Sequence, residues 1–237
     1  MSLGALTWLG HSTFVLETPG GTRVLFDPWV TGNPATPEGA ADPGRVDLIL
    51  ASHGHADHTG DLARLAAEKT PQAVIGMVEL MGWFESQGVE NTVGINKGGS
   101  TEAAGQRVTM TQAMHSSSVN AEDGSIVYTG EPAGFVLTID SGYKVYFAGD
   151  TTVFGDMALI GELYAPDLAI LPIGDFFTMG PLEAAKAVEL LGVRRVLGMH
   201  YGTFPLLPGT PQQLRDACAA RGLDVTVEEL EPGGTLR

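Results

Sequence analysis

Among the 237 residues only one cysteine occurs, Cys218. No internal disulfide can form, and neither a Cys-rich zinc site nor a secreted disulfide framework is available. Basic side chains are scarce as well. Thirteen Lys and Arg stand against 28 Asp and Glu, a formal net charge of −15, which repels polyanions at long range and makes nucleic acid a poor partner. Long apolar runs are missing too: no segment approaches the roughly 20 residues of a membrane span, and the N-terminus lacks a basic-then-apolar leader. The expectation is a soluble, cytoplasmic chain without a membrane partner. No linker-like composition interrupts it, so one domain over residues 1–237 is expected, with 43% hydrophobic residues to supply a core.

What is present is a concentration of histidine. Ser52-His53-Gly54-His55-Ala56-Asp57-His58 follows the apolar run Val46 to Ala51. Three imidazoles and a carboxylate within six positions are poor core material and good material for zinc, manganese or iron. Three further strand-like runs also end in a candidate ligand: His115 after Arg107 to Met114, Asp150 after Lys144 to Ala148, and His200 after Arg195 to Met199. Strand ends gathered on one edge would bring all seven side chains to a single cleft. His53 and His55, two apart, project to the same side of an extended segment, whereas Asp57 and His58 come where the chain must turn toward a helix at Asp61 to Lys69. Asp150 suits a bridging role, because an anion between two divalent cations offsets their repulsion.

The chain opens with short β-prone runs at Leu6 to Leu9, Ser12 to Glu17 and Thr22 to Phe26, the last two joined by the turn residues Thr18-Pro19-Gly20-Gly21. A long loop, Asp27 to Gly44, precedes the His-rich motif, and helix and strand alternate after it. His115 to Gly134 reads as a second long polar loop. A hairpin returns at Phe135 to Ala148, followed by strand–helix alternation to Val227. Two halves on the same plan predict a four-layer αββα sandwich, two packed sheets with helices outside.

These residues resemble the metallo-β-lactamase superfamily through the HxHxDH motif with His115, Asp150 and His200 downstream. Trp8-Leu-Gly-His-Ser, Phe26-Asp-Pro-Trp-Val-Thr-Gly-Asn-Pro34, Ala148-Gly-Asp-Thr-Thr152 and Met199-His-Tyr-Gly-Thr-Phe204 are similar, more closely, to a widespread family of metal-dependent hydrolases related to the L-ascorbate-6-phosphate lactonases. The resemblance covers nearly the whole chain and implies the αββα fold. It also implies that His53, His55 and His115 hold one metal, Asp57, His58 and His200 a second, and Asp150 both. The metals expected are zinc or manganese, with iron or nickel accepted by the same ligands. One departure stands out: Phe176 occupies a place where the family pattern has a polar residue.

Of the remaining residues, His11 is expected beside the cleft, either contacting substrate and moving a proton or holding structure by hydrogen bonds. Asp27 is expected to accept a proton from the far nitrogen of a ligand histidine, or else to anchor its loop. Asp57 and Asp150 have catalytic roles through the metals, a metal-bound carboxylate being a poor general base. Ser116, Ser117 and Ser118 have no free base and read as hydrogen-bonding loop residues. Trp29, Phe176, Phe177, Met179 and Tyr201 line an apolar pocket or belong to the core. The expected activity is metal-dependent hydrolysis of an ester, lactone or related bond of a small molecule by a hydroxide shared between two metals. The alternatives are a phosphodiesterase or nuclease, and a non-catalytic metal-binding scaffold. Self-association is left open.

Overall fold

The turn at Thr18 to Gly21 closes a hairpin. Strands β1 (Ala5–Trp8), β2 (Phe14–Glu17) and β3 (Arg23–Phe26) run antiparallel, and Asp140 holds the turn by accepting from Thr18 Oγ1 at 2.7 Å and the Gly20 amide at 2.9 Å. The computed structural model describes residues 1–237. Three parallel strands, β4 (Leu48–Leu50), β5 (Ala73–Met77) and β6 (Thr92–Ile95), extend the sheet beyond β3. Their crossovers contain α1 (Ala56–Thr59), α2 (Leu62–Lys69) and α3 (Val78–Ser86).

The second sheet repeats this plan. Strands β7 (Ser100–Ala103) and β8 (Gln106–Gln112) form a hairpin. A separate small ribbon, β9 (Ser118–Asn120) with β10 (Ile126–Tyr128), follows. Then β11 (Ala133–Thr138) pairs antiparallel with both β8 and β12 (Lys144–Phe147). Parallel strands β13 (Leu168–Pro172), β14 (Arg195–Met199) and β15 (Thr226–Glu228) complete the sheet. Helix α4 (Met157–Tyr164) leads from β12 to β13, and α5 (Pro181–Leu191) and α6 (Pro211–Ala220) link the three. Finally β16 (Thr235–Leu236) returns to pair with β1, so each large sheet has seven strands.

Alternation along β11 and β12 shows why the strands layer. Phe135, Leu137, Val145 and Phe147 join the core between the sheets, while Val136 and Tyr146 point the other way into a second core with α4, α5 and α6. The Phe147 ring lies 4.9 Å from Phe26 and 6.3 Å from Phe14, across the gap between sheets. Each fully buried side chain of this kind contributes about 1.5–3 kcal/mol. The four-layer expectation is met: two sheets face each other, with helices outside. No helix is long and apolar enough to cross a membrane.

The sequence expectation differs from the structure in one instructive stretch. His115 to Gly134 contains the β9–β10 ribbon rather than loop alone. Three-residue strands joined through a polar turn show too little alternation to be read, and this ribbon is held by what it packs against. β8, β12, β13 and β14 run in one direction, because two antiparallel steps separate β8 from β12. The carboxyl ends that lead to His115, Asp150 and His200 therefore share one edge.

Candidate metal centre

The His-rich motif leaves the end of β4 as extended chain and turns into α1 at His55, whose backbone is extended (φ −62°, ψ 148°). Gly54 permits this path. A Cβ there would come 2.5 Å from Thr129 Oγ1 and 2.9 Å from the Ser118 carbonyl, so the β9–β10 ribbon packs directly onto the backbone between the two histidines. Gly149 precedes Asp150 with φ +62°, and a Cβ there would lie 2.9 Å from Ser52 Cβ. Three non-glycine residues here also adopt left-handed backbone: His11 (φ 55°), Asp27 (φ 42°) and His200 (φ 58°). Such conformations cost roughly 1–3 kcal/mol each and persist only where the surroundings hold them.

All seven candidate ligands meet. Donor atoms of His53, His55 and His115 form one set lying within 4.8 Å of one another, and those of His11, Asp57, His58 and His200 form another. Asp150 stands between them. Its Oδ2 is 3.0 Å from His200 Nε2, 3.3 Å from His58 Nε2 and 3.6 Å from His115 Nε2. His11, placed beside the cleft by the sequence, is buried within the second set, its Nε2 3.2 Å from Asp57 Oδ2 and its Nδ1 2.9 Å from Thr203 Oγ1.

A fully buried carboxylate organises the ring orientations. Asp27 Oδ1 accepts from the Ser52 amide at 2.7 Å; Asp27 Oδ2 accepts from Ser52 Oγ and from His58 Nδ1, both at 2.7 Å. The Ser52 hydroxyl has one proton and spends it on Asp27, so its contact of 3.0 Å with His53 Nδ1 requires that nitrogen to be the donor. Both His53 and His58 thereby keep a proton on Nδ1; His53 turns a bare Nε2 inward, and His58 turns inward an Nε2, 3.3 Å from Asp150 Oδ2, that becomes bare once it releases the proton Asp150 and Asp27 hold on it.

The electrostatics follow. Burial works to lower His58, but the carboxylates of Asp150 and Asp27 outweigh it and hold its pKa well above 6.5. For Asp150, burial works upward and is overcome by His200 and His58, leaving the carboxyl well below its ordinary value. Burial likewise works to raise Asp57, and the hydrogen bond from His11 together with the charge of His58 brings it down instead. His53, His55 and His115 are all pushed down by burial, His53 furthest. Desolvation lowers His11 to about 4, so near neutrality it is uncharged, donating from Nε2 to Asp57 and accepting from Thr203.

This donor set fits divalent metal. His58 Nε2, His200 Nε2 and Nδ1, and Asp150 Oδ1 are buried without a hydrogen-bond partner, although such groups normally find one. His53 Nε2 and His55 Nδ1 face each other at 3.0 Å, an arrangement that a shared cation satisfies.

The residues considered for a pocket separate. Trp29 and Phe177 line a cavity beside the cleft, and Phe176 is exposed next to it. Met179 is core, and Tyr201 packs on Trp8 with centroids 5.2 Å apart. Ser117 Oγ accepts from the Gly54 amide at 3.2 Å, a loop role. The sequence reading missed the wall formed by Phe204, Pro205 and Leu206, and the Thr203 contact with His11. Their available signal was an aromatic and apolar run directly following a candidate ligand, His200.

A family model described as a β-lactamase superfamily domain matches residues 22–201. The chain is 52% identical over 231 residues to a protein of Rubrobacter xylanophilus named a UPF0173 metal-dependent hydrolase, covering 98% of this chain and 95% of the relative. It is 49% identical to one of the same description from Herpetosiphon aurantiacus, over 98% of this chain and 97% of that one. Among solved structures, Igni18, described as a metallo hydrolase from the archaeon Ignicoccus hospitalis, is similar with a TM-score of 0.85. It shares 34% identity, over 98% of this chain and 97% of that chain.

Proposed function

We infer, since this chain belongs to the β-lactamase superfamily and is a metal-dependent hydrolase, that its cleft holds two divalent cations and opens an ester, lactone or related bond of a small molecule. The observation that carries the reading is the position of Asp150 Oδ2, within 3.0–3.6 Å of imidazole nitrogens from both donor sets. His53, His55 and His115 would hold one ion, Asp57, His58 and His200 the other, and Asp150 both. Nitrogen and carboxylate donors suit zinc or manganese, and also iron or nickel. Metals bound there supply Lewis acidity, lowering the pKa of water from about 15.7 toward 7 and polarising a scissile carbonyl oxygen.

The protein's own groups prepare that chemistry. Asp27 and Ser52 fix the tautomers of His58 and His53, and Asp150 brings a carboxylate charge to both donor sets. His11, neutral near pH 7, donates to Asp57 and so orients that carboxylate; its lowered pKa supports a positioning role over proton transfer. Ser116 lines the cleft on the side of His55 and His115. No observation favours the phosphodiesterase reading, because no Lys or Arg lines the cleft. A full set of seven converging donors likewise speaks against a scaffold without activity.

Elemental analysis of purified protein, paired with a panel of neutral esters and lactones, tests the proposal. Two metals per chain and metal-dependent turnover are expected, both falling in Asp150→Ala. One metal or none would remove the dinuclear reading; a fully loaded protein that hydrolyses no member of the panel would remove the ester and lactone reading.

A further inference from the structure

Beside the His/Asp cleft, of about 360 Å³, lies a second cavity of about 680 Å³, within the range of small-molecule sites. Asp57 and Phe177 line both, so the two spaces meet at the candidate metal ligand. Apart from Asp57 the second cavity is walled by Trp29, Ala56, Phe177, Phe204, Pro205 and Leu206. On one side the Trp29 and Phe204 rings stack 6.1 Å apart, and Phe204 stands edge-on to His11 at 5.9 Å.

On the other side Phe177 is presented by strained backbone. Asp175 (φ 66°) and Phe176 (φ 51°) are successive non-glycine residues in the left-handed region, and the Asp175 side chain accepts from the Phe176 amide at 2.8 Å. Phe177 and Leu206 are 52% and 51% exposed, an unfavourable display of apolar surface that contact with another apolar group would relieve. Charge narrows the occupant further. None of the 13 Lys and Arg lines either cavity, so an anionic substituent seated among these apolar walls would lose its hydration with no side-chain cation to replace it.

We propose that this cavity receives an uncharged alkyl or aryl group, which makes the substrate a neutral, apolar ester or lactone rather than a phosphorylated or carboxylated one. The inference rests on the hydrolase reading above. It assigns Phe177, Phe204 and Leu206 as specificity-determining residues: they touch the part of the substrate that does not react.

Calorimetric binding of straight-chain alkyl hydroxamic acids to the metal-loaded protein tests it, because the hydroxamate head chelates metal while the tail samples the neighbouring space. Affinity should rise about two- to fourfold per added methylene, the upper figure corresponding to complete burial. In Phe204→Ala and Leu206→Ala that increment should fall below twofold at unchanged metal content. A terminal carboxylate on the longest tail should cancel the gain. Affinity that stays flat along the series, or increases with the carboxylate, would overturn the proposal. Flat affinity in a protein that sediments as a dimer, dissociated by Leu206→Ala, would do so in favour of an interface between copies. If the two-carbon hydroxamate itself fails to bind loaded protein, the reading of the cleft as an open two-metal site for esters and lactones falls first and this inference with it.

Discussion

Replacing Asp27 with Asn keeps the size of a side chain that touches no candidate substrate space and removes one buried acceptor. Asp27 takes three donors at 2.7 Å, from the Ser52 amide, Ser52 Oγ and His58 Nδ1. The Asn amide offers one oxygen and turns an NH2 toward at least one of those donors. If His58 loses its partner, the Nδ1–H tautomer is no longer favoured; if Ser52 turns its hydroxyl proton toward His53, the tautomer of His53 is disturbed as well. A hydrogen bond to a charged group contributes about 1.5–3 kcal/mol, and about 1.4 kcal/mol is one decade in affinity. The expected loss of metal affinity is therefore about 10- to 100-fold, in line with the usual effect of removing the partner of a metal-binding histidine.

Competition against a chromophoric chelator measures this directly. Asp140→Asn is the control, because Asp140 makes comparable hydrogen bonds to Thr18 and Gly20 at a turn away from the cleft; it should leave affinity unchanged. A dissociation constant for Asp27→Asn within twofold of wild type, in protein that remains folded by circular dichroism, would refute the tautomer argument.

Metal uptake at pH 7 should release protons, since His58, held well above 6.5 in the metal-free protein, must give up a proton to bind metal; calorimetry in buffers of different ionisation enthalpy reads this, and zero release contradicts it. In the metal-free protein the stability contributed by protonated His58 is fully present below the unfolded pKa of about 6.5 and lost as pH rises through the higher folded value. His11 has the opposite sign: with a folded pKa of about 4, it withdraws stability as pH falls from about 6.5 toward 4. Nitrogen NMR should show its ring neutral throughout pH 5–8, and a midpoint near 6.5 would count against burial holding the ring uncharged. Gly54→Ala should cost about 1–3 kcal/mol in denaturant unfolding, as expected for overpacking, and weaken metal binding by moving the β9–β10 ribbon off the motif; a variant as stable as wild type would show that the close contact with Thr129 and Ser118 relaxes freely.

Much of this molecule could be read locally. Alternation and turn chemistry are properties of adjacent residues, so the hairpins, the strand–helix halves and the layered sandwich follow from patterns such as Thr18 to Gly21 and Phe135 to Phe147. The candidate ligands were legible for the same reason: each ends a strand or lies in the dense run His53 to His58. Other features depend on segments distant in the chain. Thr203 reaches His11 across 192 positions, Asp27 meets His58 across 31, and the ribbon over Gly54 consists of strands too short to show periodicity. Phe204 and Leu206 look like ordinary apolar residues until Trp29 and Phe177 face them across the cavity. Residue types and their spacing therefore determined the kind of chemistry and the layers that carry it. Only the packing of the two sheets decided which ring nitrogens face inward, how His11 is charged, and what lies beside the metals, because these depend on desolvation and hydrogen bonds between residues that neighbour each other only after folding.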